Sequence, residues 1–243
     1  SVTALAAPVQ TRASAGVGAK PTMTHFIARA LAEAYKRYPD LNCLIRWGRL
    51  YPRKGIDVFF QVANDAGGKD LSGMIIRDVD KKNLLQMAQE MQTHVELIRQ
   101  KGDPAFRKMK GTMSLIPGFL IYRVLRIVSF LLYTLNIWTP LLGTPRDSFG
   151  SFMLTSIGSL GLEEAWAPIV PYSRCPLVMA VGAVREKAVV RDGKIVIAPI
   201  MKLCTTFDHR LIDGLYAAKM ARLMEKIAAD PEKELGVGPI GQA

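Results

Sequence analysis

The sequence predicts an α+β domain in which helices flank a mixed or antiparallel β-sheet. Apolar residues recur at helical spacing near both ends of the chain, and runs rich in β-branched residues follow one another between residues 151 and 207. Between them there is no regular alternation of strands and helices, no GxGxxG and no phosphate-binding loop. These absences disfavour a doubly wound nucleotide-binding fold.

The composition indicates a folded, basic chain. Hydrophobic residues make up 49% of the 243 residues, charged residues make up 22%, and the formal net charge is +11. A strongly basic chain suits anionic partners such as nucleic acid, an anionic membrane surface or a phosphate-bearing cofactor. The basic residues are scattered and no nucleic-acid-binding module is recognisable, so nucleic acid is not expected as a partner.

The three cysteines are Cys43, Cys175 and Cys204. Their wide spacing and apolar neighbours predict buried thiols in a reducing compartment and disfavour a disulfide framework. No metal-ligand spacing is present, so no metal site is expected. The first residues lack the pattern of a signal peptide, and the expected location is the cytoplasm, or the mitochondrial matrix if the source is eukaryotic.

The first helix is predicted to begin after Thr24 as N-cap and to end before Pro39. Residues at helical spacing predict its buried face, namely Phe26, Ile27, Ala30, Leu31 and Ala34.

Two strands, 41–47 and 56–63, are predicted to be joined by a Pro/Gly turn, and a shorter strand follows at 74–80. A second amphipathic helix is predicted from about Lys81 to Gly102. His94 on this helix is interpreted as a solvated side chain.

An unusual apolar block occupies residues 117–142, where Arg123 and Arg126 are the only charged residues. It is long enough to span a bilayer, but two arginines in its first half make a poor spanning helix. We expect one or two helices, turning near residues 136–140, that cover the subunit core or a neighbouring subunit, with both arginines toward solvent or an anion. Contact with a membrane interface is the less favoured alternative.

Several strands are predicted between residues 151 and 207. Asp192-Gly193 is a strong signal for a two-residue hairpin. A C-terminal helix is predicted to start near Asp213, followed by a short tail.

The junction between the last strand and this helix reads F-D-H-R-L-I-D-G and places His209 where a side chain can project into a cleft. A histidine there can act as a base toward a thiol or hydroxyl. Asp208 and Arg210 are predicted to brace the loop by ion pairing, and Asp213 to cap the helix or to orient a neighbour. A structural histidine in a surface turn is an equally open interpretation of the motif by itself.

Four stretches in order resemble the acyltransferase components of 2-oxo acid dehydrogenase complexes. F-D-H-R-L-I-D-G resembles the family's DHRxxDG signature, and S-F-M-L-T-S-I-G-S-L-G resembles its GTFTISNIGSLG stretch. W-A-P-I-V-P-Y-S-R-C-P-L-V-M-A-V-G-A-V and Y-P-D-L-N resemble two further family elements. The four stretches occur in the family's order and are spread over most of residues 20–228.

The resemblance implies a chloramphenicol-acetyltransferase-like fold that forms trimers with active sites between subunits. It implies His209 as the general base that deprotonates a thiol of coenzyme A or dihydrolipoamide, and Asp213 as the residue that maintains the site's geometry. The oxyanion-stabilising hydroxyl falls on Thr155, with Ser156 adjacent, where the family more commonly has serine.

The same resemblance implies coenzyme A as a substrate and a lipoyl group supplied by another domain or chain. The implied partners are further copies in a trimer or larger cage and the other dehydrogenase components. No coenzyme-binding residues are assigned.

The expected organisation is an N-terminal segment at 1–20, in a chain that is either trimmed or a free-standing variant, and an acyltransferase catalytic domain at 21–236. The domain carries an apolar insertion at about 113–143, and a tail occupies 237–243. No lipoyl-type lysine motif is seen in the chain. Two other hypotheses remain open, a non-catalytic core or scaffold subunit and a membrane-peripheral relative that uses the apolar block as its anchor.

Overall fold

The computed structural model describes residues 19–63, 71–101, 117–135 and 147–235. The helices are α1 Met23–Arg37, α2 Leu84–Lys101, α3 Gly118–Ser129, α4 Gly214–Ala229 and α5 Pro231–Leu235. The strands are β1 Cys43–Arg46, β2 Arg49–Pro52, β3 Val58–Ala63, β4 Leu71–Ile76, β5 Phe152–Ser156, β6 Leu177–Arg191 and β7 Lys194–Phe207.

The main sheet has five strands in the order β4-β3-β5-β6-β7. The pairs β3/β5 and β5/β6 are parallel, while β3/β4 and β6/β7 are antiparallel. The sheet is therefore mixed, and the predicted α+β class with flanking helices is confirmed. Its central strand is β5, which carries Thr155.

One hydrophobic core lies between one face of this sheet and the helices α1, α2 and α4. The five predicted core positions of α1 are all at most 2% exposed, so the periodicity predicted the buried face correctly. Tyr35 extends this face and stacks on Phe152 of β5 at 5.3 Å between ring centroids. Each such large apolar side chain contributes about 1.5–3 kcal/mol through burial.

The β6–β7 hairpin turns at Asp192 and Gly193, whose φ angles are 51° and 74°. Two consecutive positive φ angles match the turn that this dipeptide favours, so the predicted hairpin is confirmed. β6 continues through a register shift between Val181 and Val184, so both strands of the hairpin are long. Pro199 lies inside β7, which tolerates a missing N–H because it is an edge strand.

The prediction that a Pro/Gly turn joins 41–47 directly to 56–63 is wrong, because β2 lies between them. β1 instead pairs with β2, a strand that the sequence analysis missed, in a separate two-stranded sheet. Trp47 and Gly48 form the tight turn between them, both at positive φ. A tryptophan is a poor turn signal, since asparagine or glycine normally occupies that conformation, and this explains the error.

The described part of the apolar block, 117–135, forms α3 and one π-helical turn, Phe130–Thr134. No residue of α3 is buried, so the prediction that this part covers its own subunit core is wrong. The predicted exposure of Arg123 and Arg126 is confirmed. The turn predicted at 136–140 lies outside the described residues, and cover by a neighbouring subunit stays a prediction.

Other predictions are confirmed by burial. All three cysteine side chains are buried. α2 matches the second predicted helix, with His94 exposed on it.

α1 begins two residues earlier than predicted, with Thr22 rather than Thr24 as N-cap. The N–H of Thr22 donates to Nδ1 of His25 at 3.0 Å, and the Thr22 hydroxyl oxygen lies 2.8 Å from the same nitrogen. Because Nδ1 accepts a hydrogen bond, the neutral ring carries its proton on Nε2. His25 is only 3% exposed, and burial lowers its pKa from 6.5 to about 4.

We expect His25 to make the fold acid-sensitive. Its folded pKa lies below the unfolded value, so the unfolded chain binds the extra proton between pH 6.5 and about 4. His25 therefore stabilises the fold above pH 6.5, and about 3 kcal/mol is lost as the pH falls through this window. His25→Gln keeps an acceptor for the Thr22 N–H but cannot titrate there. Urea unfolding across the window should show a shallower loss of stability in the variant, and equal slopes would contradict the prediction.

Candidate active site

Backbone hydrogen bonds define the turn that carries His209. Asp208 N–H donates to the Pro176 carbonyl at 2.8 Å, and the N–H groups of Leu211 and Ile212 both donate to the Asp208 carbonyl at 2.9 Å. Ile212 is fully buried and anchors the turn to the core. His209 itself is exposed at the top of the turn.

Asp208 and Arg210 brace this turn, as predicted. Arg210 Nε donates to Asp208 Oδ1 at 2.9 Å, and Nη2 donates to Oδ2 at 2.6 Å. The hydrogen bonds from Arg210 lower the pKa of Asp208, and the same contact raises the pKa of Arg210. The carboxylate of Asp208 is thus paired with the guanidinium of Arg210.

Asp213 caps α4. Its Oδ1 accepts the backbone N–H of Tyr216 at 2.8 Å, which satisfies one of the unpaired donors at a helix start. The cap links the first turn of α4 to the His209 turn. A catalytic contribution of Asp213 beyond this cap stays a prediction.

His209 borders a cavity of about 350 Å³. Its walls come from β1, the 169–175 segment and the end of β7, and the lining residues are Ile45, Ile169, Pro171, Arg174, Cys175, Thr206, Phe207, Asp208, His209, Arg210 and Leu211. Two guanidinium groups and one imidazole thus share a cleft with apolar walls. Such a cleft can hold a partly anionic ligand with an apolar arm.

Thr155 lies in the middle of the sheet, paired with Gln61 of β3 and Ala180 of β6. Its neighbours Phe152 and Leu154 are buried in the core under α1. Since successive side chains on a strand alternate between faces, Thr155 points to the opposite face, which these helices do not cover, and Ser156 points back toward the core side.

The turn after Thr155 is held by a close backbone approach. Ile157 N–H donates to the Val181 carbonyl at 3.0 Å, and Ala183 N–H donates to the Leu162 carbonyl at 2.8 Å. A Cβ on Gly158 would lie 2.8 Å from the Gly182 carbonyl oxygen, so this contact requires glycine. This close approach of Gly158 to Gly182 was not predicted, although both glycines are visible in the G-S-L-G and V-G-A-V stretches.

Thr155 and the end of β7, which precedes His209, lie on separate parts of the sheet. Thr155 is level with Ala180 and Cys204 across the sheet, whereas β7 ends three residues later at Phe207. Strand spacing places the Cα atoms of Thr155 and Phe207 about 14 Å apart, with His209 two residues beyond. Thr155 is also not among the residues that line the His209 cavity.

Arg53 has a structural role that was not predicted. Its side chain is 4% exposed and pairs with Asp147. It also donates to the Arg174 carbonyl at 3.1 Å. This contact ties the segment after β2 to the 169–175 wall of the cavity, and no local sequence pattern indicates it.

The profile of the 2-oxoacid dehydrogenases acyltransferase (catalytic domain) family matches residues 2–115 and 146–235, well over half of the chain. The chain belongs to this family. The resemblance inferred from the four motifs is thereby confirmed. The two matched ranges flank residues 116–145, which include α3.

Curated members of the family include two informative relatives. The acetyltransferase component of the Bacillus subtilis pyruvate dehydrogenase complex is 24% identical over 221 residues, covering 90% of this chain and 40% of that protein. The succinyltransferase component of the Haemophilus influenzae 2-oxoglutarate dehydrogenase complex is 25% identical over 210 residues, covering 86% and 41%. The chain spans about two-fifths of the length of these relatives.

Solved family structures share the fold. The cubic core of a pyruvate dehydrogenase multienzyme complex is 24% identical with a TM-score of 0.64, covering 90% of this chain and 72% of that one. The Azotobacter vinelandii dihydrolipoamide acetyltransferase, studied for the catalytic roles of a serine, a histidine and an asparagine, is 23% identical with a TM-score of 0.63 and the same coverage. Within the described residues of the present chain, no helix is long and apolar enough to cross a membrane.

Proposed function

We propose that this chain transfers an acyl group between coenzyme A and a thiol acceptor such as dihydrolipoamide. His209 serves as the general base, Thr155 as the oxyanion donor, and the working site lies between neighbouring copies in a trimer. Family membership supports the reaction class. The arrangement of the two residues in the fold supports the rest.

The proposal that two copies share the site rests on one observation. His209 stands exposed on a cavity beyond the end of β7, while Thr155 faces the side of the sheet opposite the helices. Strand spacing separates the Cα atoms of Phe207 and Thr155 by about 14 Å, and this separation favours a site in which the base and the oxyanion donor come from different copies. A second copy that brings its Thr155 to this His209 completes the site.

The chemistry then follows from the two side chains. The imidazole of His209 takes the proton from the attacking thiol, and the thiolate adds to the thioester carbonyl carbon. The tetrahedral intermediate places negative charge on the former carbonyl oxygen, to which the Thr155 hydroxyl donates. Collapse breaks the original carbon–sulfur bond, and the imidazolium returns its proton to the departing thiolate.

Asp213 acts in this proposal as a positioning residue. By accepting the Tyr216 N–H it holds the start of α4, and the bidentate pair of Arg210 with Asp208 holds the other side of the same turn. These contacts hold the backbone on both sides of His209. The base is thus preorganised on a rigid turn.

The substrates are inferred from the site and from the names of relatives. Arg174 and Arg210 on the cavity of His209 suit the phosphates of coenzyme A. The relatives are named as dihydrolipoyllysine-residue acyltransferases, so we assign dihydrolipoamide as acceptor, with the lipoyl group supplied by another domain or chain. Because the same relatives are named as components of dehydrogenase complexes, we also propose assembly with the other components of such a complex. The buried thiols suit a reducing compartment such as the cytoplasm or mitochondrial matrix.

A subunit-mixing experiment tests the shared site. Two differently tagged copies, one carrying His209→Ala and the other Thr155→Val, are produced together, and mixed trimers are assayed for acyl transfer. Each mixed ring contains one intact pairing of His209 with a neighbour's Thr155, so random assembly should recover about a quarter of wild-type turnover.

Each variant alone serves as the control and should remain nearly inactive. No recovery on mixing would mean that both residues come from one copy, or that the chain is a non-catalytic core. Wild-type acyl transfer in the same assay separates these two results.

A further inference from the structure

A stripe of exposed aromatic and basic side chains runs along α3. Its members recur at helical spacing on one side and are all solvent-exposed, namely Phe119, Tyr122, Arg123, Arg126, Ile127 and Phe130. Phe119 is 80% exposed, and the guanidinium of Arg126 lies 5.9 Å from the centre of the Tyr122 ring. An apolar face of this extent normally marks an interaction surface.

The tip of the β1–β2 hairpin extends this stripe. Trp47 occupies the left-handed region with φ 51°, a conformation that is unfavourable for a bulky residue. Its ring meets Phe130 edge-on at 6.2 Å, and its indole N–H donates to the Thr134 carbonyl at 3.1 Å. Trp47 nevertheless stays 66% exposed. The strained turn therefore presents an exposed tryptophan beside the helix.

Both segments lack acidic residues. No Asp or Glu occurs in 43–52 or in 117–135, while these stretches contain four basic residues, namely Arg46, Arg49, Arg123 and Arg126. A symmetric contact between two copies of this face would bring arginines together without counter-charges. A partner of this face must supply anions next to an apolar layer.

We propose that α3 and the β1–β2 tip form a docking face for an anionic membrane surface. Aromatic side chains favour the boundary between headgroups and acyl chains, and arginines reach from an apolar helix face to lipid phosphates. An anionic bilayer offers lipid phosphates to the arginines and an apolar layer to the aromatic side chains, within the width of a single helix. α3 lies outside the ranges matched by the family profile, and none of its residues lines the His209 cavity. Docking is therefore proposed as a property distinct from acyl transfer.

Flotation with lipid vesicles tests the proposal on the purified oligomer. The wild-type protein should float with vesicles of phosphatidylcholine and phosphatidylglycerol in equal parts, float poorly with phosphatidylcholine alone, and be released by high salt. Arg123→Gln with Arg126→Gln should weaken binding by at least about tenfold, since each basic residue near an anionic surface raises the affinity about fivefold.

The matched control is Lys219→Gln with Arg222→Gln, which removes two exposed charges at the same helical spacing on α4. It should bind like the wild type. Phe119→Ser should also weaken binding, whereas Ile195→Ser, which truncates an exposed apolar residue on the β6–β7 hairpin, should not. Thermal unfolding and native mass verify that each variant is folded and assembled.

Three results would overturn the proposal. The first is a wild-type protein that does not float with anionic vesicles. The second is an equal loss in both charge variants, which indicates a response to net charge alone. The third is a fall in native mass in the Arg123/Arg126 variant without wild-type flotation, which assigns the face to a second copy of the chain.

Discussion

His209→Ala should lower acyl transfer by about 10²–10⁴-fold, because the attacking thiol loses its general base. Folding should be unaffected, since His209 is exposed on a turn whose hydrogen bonds come from the Asp208 backbone and from Arg210. Turnover is followed by thioester formation from acetyl-coenzyme A and dihydrolipoamide, with native mass and the urea midpoint measured alongside.

The matched control is His94→Ala, which removes an exposed histidine on α2 that lies outside the His209 cavity. It should keep wild-type turnover. Near-wild-type activity in His209→Ala would remove the proposed base and leave His209 as a structural turn residue.

Thr155→Val should lower kcat by roughly 10²-fold with little change in KM, because the lost hydroxyl stabilises the transition state rather than the bound substrate. Valine is nearly isosteric and suits the strand position between Gln61 and Ala180. Steady-state kinetics with varied coenzyme A ester would separate kcat from KM.

Thr155→Ser keeps the donor and should retain most of the activity. Ser156→Ala is the control on the opposite face of β5 and should have a small effect. A large loss in Ser156→Ala with an active Thr155→Val would shift the oxyanion donor by one residue.

Local patterns in the sequence were reliable where the forces are local. The helical period of Phe26, Ile27 and Ala30 predicts a buried face, because side chains three and four residues apart share one side of a helix. Asp192-Gly193 predicts a hairpin, because both positions need positive φ. In both cases the structure agrees with the prediction.

The errors arose where the outcome depends on distant residues. The turn at Trp47 gave no signal, so β2, the strand that pairs with β1, was not predicted. The apolar composition of 117–135 predicts burial, yet hydropathy does not say which surface is available to cover a helix. In this chain none of α3 is buried.

By itself, the sequence determined the class of fold, the family and the residue types of the site, because motifs and periodicity are properties of neighbouring residues. Only the tertiary structure decided how those residues are arranged. Pairing of β5, β6 and β7 sets Thr155 and the end of β7 on separate parts of the sheet, and strand register depends on contacts between residues far apart in the chain. The burial of His25 and the exposure of α3 have the same origin, since each depends on which distant surface packs against the helix.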